Sequence, residues 1–229
     1  MKKYELTKET KTLADGTVLH RIRALRDIPY FGIKAGDLGG WVESENNLSQ
    51  DGDAWVSGHA YVSGDAYVSG DAKVYGDAWV SGKAWVSGKA GVSGDAYVSG
   101  NAWVSGKACV YDNARVSGNA WVAGNAKVYG KANVRDNALV SGDAEFSGDA
   151  KVSGDADYMT FKNSWSSGRW FTYTRSNRMW KVGCFYGTGE ELIAKAYKDS
   201  ELSGKCYEAI VRAVETIEAA KAEEKGDAK

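Results

Sequence analysis

GDAWVSGHAYVSGDAYVSGDAKVYGDAWVS, residues 52–81, spells nearly the same six letters five times. Cut at Gly52, the frame runs for eighteen consecutive hexads to Met159. Slot three is always Ala, and slot five is Val except at Phe146 and Tyr158. Slot one is Gly except at Asp112 and Asp136, and slot two is mostly Asp or Asn. Within a hexad, Ala-x-Val-x alternates inward and outward, the period-two signature of a strand with one buried face. The Gly-Asp or Gly-Asn pair that follows tolerates positive φ, as a sharp corner requires. Four residues of strand and two of corner, repeated without a break, leave no reversal for a hairpin sheet. They build a solenoid in which each coil stacks on the last. Two looser hexads, GWVESE from Gly40 and NNLSQD from Asn46, extend the frame upstream with Val42 and Leu48 in slot three.

Read from slot five, Val-Ser-Gly-Asp-Ala-Trp resembles the hexapeptide repeat of left-handed parallel β-helices, over roughly residues 40–159. The resemblance implies three hexads per triangular coil and a left-handed crossover, an exception to the usual right-handed rule. It implies about six to seven coils, with eighteen hexads spanning roughly 29 Å at ~4.8 Å per coil. The expected fold is mostly β. Residues 1–39 form an N-terminal hairpin cap, 40–159 the β-helix, and 160–229 a small α+β domain. Residues 3–26 read as a hairpin turning at Asp15-Gly16. RWFTYTR and MWKVGCF read as two strands around Ser176-Asn177. Thr188 and Glu191 have capping-box spacing for a helix start. Tyr207, Ile210, Val211, Val214 and Ile217 form one apolar helical stripe, and AEEKGDAK reads as a frayed tail. KYELT, RIRAL and GDLGGWVESENNLS at the start, with GCFYGTGEELIAKA near the end, resemble a group of phage and prophage proteins with hexapeptide repeats. Some of that group are described as polymer-forming or acyltransferase-like. The resemblance implies a phage origin.

With 29 basic and 30 acidic residues, the net charge of −1 argues against bulk DNA binding or a polybasic membrane anchor. Gly is abundant while Pro29 is the single proline, which fits a turn-rich repeat better than a disordered linker. Cys109, Cys184 and Cys206 lack CxxC spacing and read as free thiols of a reducing compartment. No apolar leader or 18-residue apolar run is present. The expected location is cytoplasmic, in the host cell if phage-encoded.

Catalytic signals are sparse. Acyltransferases that resemble this repeat need a general base and a loop breaking the hexads, and γ-class carbonic anhydrases need three His on zinc. Here the hexads are unbroken; His20 lies in the hairpin and His59 at a corner. GTGEE, residues 187–191, lacks the Lys and Ser/Thr of a phosphate loop, and its two Glu would repel phosphate. Cys109 has no predicted His partner. No catalytic residue, metal or cofactor is expected.

Residues 18 apart stack, so slot four paints three faces. The first carries Tyr67, Trp85, Trp103, Trp121, Leu139 and Asp157. The second carries Tyr61, Trp79, Tyr97, Arg115, Asn133 and Lys151. The third carries Trp55, Lys73, Gly91, Cys109, Lys127 and Glu145, with Tyr75, Tyr111 and Tyr129 added from slot six. The first face is an apolar stripe larger than the roughly 400 Å² patch usual on soluble monomers. It reads as a self-association surface, with plain strand preference or a foreign partner as alternatives. In residues 166–181, Arg169, Arg175, Arg178 and Lys181 interleave with Trp170, Tyr173 and Trp180. That pattern suits a base and its phosphate, or equally a hairpin whose aromatics form the domain core. The expectation is a non-enzymatic binding or scaffold protein, a dimer or trimer, that blocks or sequesters a host defence protein or a nucleotide-like molecule. The rivals are a polymer-forming structural protein and an acyltransferase-like enzyme.

Overall fold

The computed structural model describes residues 2–226. Chain contacts divide it into two units, Met1–Tyr158 and Met159–Lys229. The first is a parallel β-solenoid of about six turns, entered through an antiparallel hairpin. The second is an antiparallel sheet with two helices.

β1 (Tyr4–Thr12) and β2 (Val18–Ala24) form the hairpin. Its turn is closed by Leu13 N–H to Thr17 O at 2.9 Å and by Asp15 Oδ1 accepting from Thr17 N at 2.9 Å. β3 (Leu38–Val42) pairs antiparallel with β2 and parallel with β5 (Tyr61–Val62), so the hairpin continues one face of the solenoid. Every strand from β4 (Trp55–Val56) to β20 (Lys151–Val152) is two residues long. They stack in three parallel sheets with the 18-residue register read from the hexads; Tyr97 pairs with Trp79 and Arg115, Trp103 with Trp85 and Trp121. Each coil donates N–H groups to the carbonyls of the next, as from Tyr97 to Ala114 and Ser99 to Val116, both 2.9 Å. The Ala and Val slots are solvent-free and form one continuous core. At the corners the chain turns through left-handed glycines such as Gly118, φ 71°. A Cβ there would lie 2.6 Å from the Asp136 nitrogen of the next coil, so conformation favours Gly and space requires it.

The frame differs from the sequence reading at both ends. Trp41 pairs with Tyr61 and Val42 with Val62, 20 positions apart instead of 18. Val42 and Leu48 therefore occupy slot five, not slot three, and two extra residues lie between Leu48 and Val56. The Ala slot of β3 is filled by Gly40, where a Cβ would meet Val56 Cγ1 at 2.7 Å and Ala60 O at 2.8 Å. Space decides the register: the bulky Val42 fits only where Val normally sits. The eighteenth hexad is not a solenoid strand either; Asp155–Asp157 form a 3-10 turn and β21 (Tyr158–Lys162) joins the C-terminal sheet.

An open parallel edge invites pairing with another chain. Because N–H groups point toward later coils, the first coils present carbonyls and the last present N–H groups. The side chains at each edge match that polarity. At the start, the buried Asn47 donates Nδ2 to Gly64 O and Ala66 O at 2.8 and 2.9 Å. Lys3 Nζ donates to Ala54 O at 2.7 Å, and Arg26 Nη2 to Gly52 O at 2.9 Å. At the far edge an acceptor appears instead: Asp157 Oδ2 takes Ser153 N and Gly154 N at 2.6 and 3.0 Å.

In the second unit the sheet order is β21, β22 (Trp170–Thr174), β23 (Met179–Val182), β24 (Phe185–Gly187). MWKVGCF is thus not one strand; Gly183, φ 54°, breaks it into a second hairpin. α1 (Gly189–Asp199) begins in the expected capping box, Thr188 N donating to Glu191 Oε2 at 2.8 Å and Glu191 N to Thr188 Oγ1 at 3.3 Å. α2 (Glu201–Gly226) buries Val211 and Val214, half-buries Tyr207 and Ile210, and leaves Ile217 exposed, so the stripe is shorter than expected. The helix continues through AEEKG, and the last three residues of the expected frayed tail lie outside the described residues.

Candidate functional site

The first face is a ladder of indoles. Trp85 and Trp103 stack with centroids 5.2 Å apart and planes 7° apart; Trp103 and Trp121 follow at 5.0 Å and 5°. The period causes this, since identical backbones one coil apart hold identical rotamers. Tyr67 tilts against Trp85 at 6.1 Å, and Leu139 pairs with Trp121 at the other end. Each indole N–H is taken within the chain: Trp85 donates to Ser69, Trp103 to Ser87 and Trp121 to Ser105, at 3.1, 3.2 and 3.2 Å. Their polar atoms satisfied, the rings present apolar edges. Trp85, Trp103 and Trp121 remain 44, 36 and 42% exposed. Asp157, placed on this face by the sequence frame, is not part of the ladder and caps the coil end.

The second face changes character along its length. Tyr61, Trp79 and Tyr97 meet edge to face at 6.2 and 5.6 Å, and Arg115, Asn133 and Lys151 follow. On the third face, Trp55 keeps its slot-four register with Lys73 but is wholly buried, in the cluster holding Ile28, against which Phe31 and Ile33 pack. Its indole N–H has no partner among the described residues. Farther along, Tyr111 and Tyr129 stack at 4.8 Å, and burial pushes the Tyr111 hydroxyl up to about 12.

The seven C-terminal candidates do not form one stacking patch. Strand alternation separates them, since β22 and β23 pair Tyr173 with Trp180 and Thr172 with Lys181. Tyr173 and Trp180 enter the buried cluster with Phe171, Val182, Leu192 and Val211. Lys181 is buried with its Nζ donating to Gly183 O. Trp170 is half-buried beneath Lys162 Nζ, 5.6 Å from the ring centre. Arg175 Nε is held by Glu218 Oε1 at 2.6 Å. Arg169 borders a cavity of about 300 Å³ with Cys184, Phe185 and Tyr207. Tyr173, Arg178 and Trp180 share a cavity of about 350 Å³, whose wall also carries Glu215 and Glu218. Burial, with Glu218 nearby, raises the pKa of Tyr173.

His59 Nδ1 lies 3.4 Å from Asp77 Oδ1 at a well-exposed corner. Among the described residues, no group of three His, Cys, Asp or Glu is placed to hold a metal ion, and no helix is long and apolar enough to cross a membrane. The GTGEE stretch is a helix cap, with Glu190 drawn to Arg212 at 2.5 Å.

Residues 108–124, almost one full coil, match the YdcK beta solenoid repeat family. The likeness places this coil among β-solenoid repeats. No curated protein matches the chain.

Proposed function

We propose that this chain is a non-enzymatic scaffold that self-associates through the stripe of Tyr67, Trp85, Trp103, Trp121 and Leu139. The observation that carries this reading is the indole ladder, whose N–H groups are all taken by its own serines. A ring that buries ~150–250 Å² when covered, and is about two-fifths exposed here, retains roughly 60–100 Å² to offer. The three indoles, with Leu139 and the half-buried Tyr67 adding less, give on the order of 300–400 Å² per copy, at most half the ~800 Å² per partner of a standard interface. Neighbouring corner residues must therefore join, and the association is concentration-dependent. The role proposed for the scaffold, sequestering a host protein or a nucleotide-like molecule, draws its support from the phage-like flanks.

Native mass spectrometry of protein purified gently from bacterial cells, with Trp103→Ser beside it, tests both parts. A defined oligomer that dissociates with Trp103→Ser is expected, and extra mass on the wild-type oligomer identifies the captured molecule. A monomer in both samples would overturn the self-association. A clean failure of host proteins and nucleotides to bind at micromolar concentration would remove the sequestration.

A further inference from the structure

The third face has a ladder with one rung left out. Its slot-six positions run Tyr75, Ser93, Tyr111, Tyr129, held in register by N–H donation from Tyr75 to Val92, Ser93 to Val110 and Tyr111 to Val128. Tyr111 and Tyr129 lie ring on ring, 4.8 Å apart with planes 2° from parallel. One coil toward the N-terminus the series meets Ser93, and one coil beyond that an aromatic returns, Tyr75, 44% exposed. Beside Ser93, slot four is Gly91. The result is a cavity of about 360 Å³ lined by Tyr75, Gly91, Ser93, Cys109, Tyr111 and Lys127.

The backbone does not require this notch. Corner glycines of the solenoid sit at left-handed φ, most of them against the next coil, but Gly91 is in strand geometry and a Cβ there would meet only Cys109 Sγ, at 3.9 Å. A side chain would fit and would fill the space. Tyr75 and Tyr111 are two coils apart, about 9.6 Å at ~4.8 Å per coil. A flat ring seated midway would lie ~4.8 Å from each, the spacing the chain itself uses between Tyr111 and Tyr129. Charge orients such a ring. Lys107 and Lys89, the latter with its Nζ 5.7 Å from the Tyr30 ring centre, are the slot-two residues leading into Cys109 and Gly91, while Lys127 on the lining is already paired with Glu145 Oε1 at 2.8 Å. Asp95 and Asp112 follow Ser93 and Tyr111 at the opposite corner.

We propose that this slot binds a small planar aromatic molecule bearing an acidic group, its ring between Tyr75 and Tyr111 and its acid toward Lys89 and Lys107. Aromatic pairs prefer stacked or edge contacts, and a ring faced on both sides gains twice. This site is separate from the Trp ladder and does not depend on self-association.

The test is calorimetric titration of the full chain with 2-naphthoate, a flat bicyclic carboxylate. Decahydro-2-naphthoate, saturated and puckered, and 2-naphthalenemethanol, flat and neutral, serve as controls. Ser93→Tyr supplies the missing rung from the chain itself, and circular dichroism checks that the solenoid stays folded. Saturable binding of 2-naphthoate at one site per chain is expected. Both the Ser93→Tyr variant and the saturated acid should lose roughly tenfold or more, the worth of about one aromatic contact on each side. The neutral alcohol should bind several-fold more weakly than the acid. Equal binding by wild type and folded Ser93→Tyr would overturn the proposal, as would no saturation at millimolar 2-naphthoate. If no probe binds while Ser93→Tyr changes the oligomer mass, the slot receives a side chain of a second copy and the proposal also fails.

Discussion

Between Ala54 and Val152 the buried apolar residues of the solenoid are Ala and Val, with Trp55 and Phe146 as exceptions near its two ends. The C-terminal unit instead gathers Phe171, Tyr173, Trp180, Leu192, Ile193 and three valines into one cluster. The first region keeps most of its aromatics outside and spreads its stability over ladder hydrogen bonds and many small contacts between neighbouring coils. The second concentrates it in a few large side chains. Removing one buried group should therefore hurt the two unequally. Phe171→Ala is expected to cost about 3–5 kcal/mol in denaturant unfolding followed by near-UV circular dichroism. Val98→Ala, at a solvent-free slot in mid-solenoid, deletes two carbons and should cost about 2 kcal/mol. Equal losses would show that the C-terminal cluster is no more concentrated than the solenoid core.

Glycine sharpens the contrast. Gly118 and Gly168 both have left-handed φ, 71° and 65°. A Cβ on Gly118 would stand 2.6 Å from Asp136 N, whereas one on Gly168 would meet nothing within 4 Å. Gly168→Ala should show only the conformational penalty, about 1–2 kcal/mol. Gly118→Ala adds a backbone clash of the overpacking kind, bringing the loss to about 3–4 kcal/mol by the same denaturant titration. Similar losses would mean that coil spacing yields to a methyl group, and the solenoid would be softer than its stacking implies.

This contrast also explains what was legible in the sequence. A period of 18 residues turns one-dimensional spacing into three-dimensional neighbours, so the Trp85–Trp103–Trp121 ladder and the faces could be read without coordinates. Where the period fails, so does the reading. Two extra residues before Val56 moved Val42 and Leu48 by one in-facing slot, because alternation leaves two inward positions per hexad and only packing volume chooses between them. Trp55 reads from the sequence as exposed, because nothing in residues 27–39 says that they fold back over it. The interleaving of Arg, Trp and Tyr in residues 166–181 looked like a patch, yet alternation along β22 and β23 sends Tyr173 and Trp180 inward and Lys181 to the other face. Asn47, Asp157 and Lys3 were missed as edge caps because single polar residues carry no periodic signal.

The carbonyl-rich edge offers a pH test. Lys3 is buried, and burial, with the Arg26 charge adding to it, lowers its pKa from 10.5 to about 8. Below pH 8 the folded and unfolded chains both hold the proton, and folding carries the cost of burying the ammonium. Between pH 8 and 10.5 the folded chain has released it while the unfolded chain has not. The unfolded state then binds more protons, so stability rises with pH across that window, by at most ~3 kcal/mol. The difference in unfolding free energy between wild type and Lys3→Met should climb from pH 8 to 10. A flat difference would mean that water reaches the ammonium.

The smallest effect lies at the two corners where Asp replaces Gly. Asp112 and Asp136 are both left-handed, φ 58° and 57°. Asp112 recovers part of that strain, because its Oδ2 accepts from Gly130 N of the next coil at 3.2 Å. Among the described residues Asp136 has no equivalent: the matching donor, Gly154 N, is already held by Asp157 Oδ2 at 3.0 Å, and Arg135 Nε is 3.7 Å away at the surface. Asp136→Gly should therefore stabilise the chain, by about 0.5–1 kcal/mol once the extra flexibility of unfolded Gly offsets part of the relief. Asp112→Gly, losing a hydrogen bond worth ~1 kcal/mol, should be close to neutral. Thermal melts of the two variants side by side decide it. If both shift alike, the carboxylate of Asp112 does nothing for its corner, and the far edge differs from the middle of the solenoid only in its position.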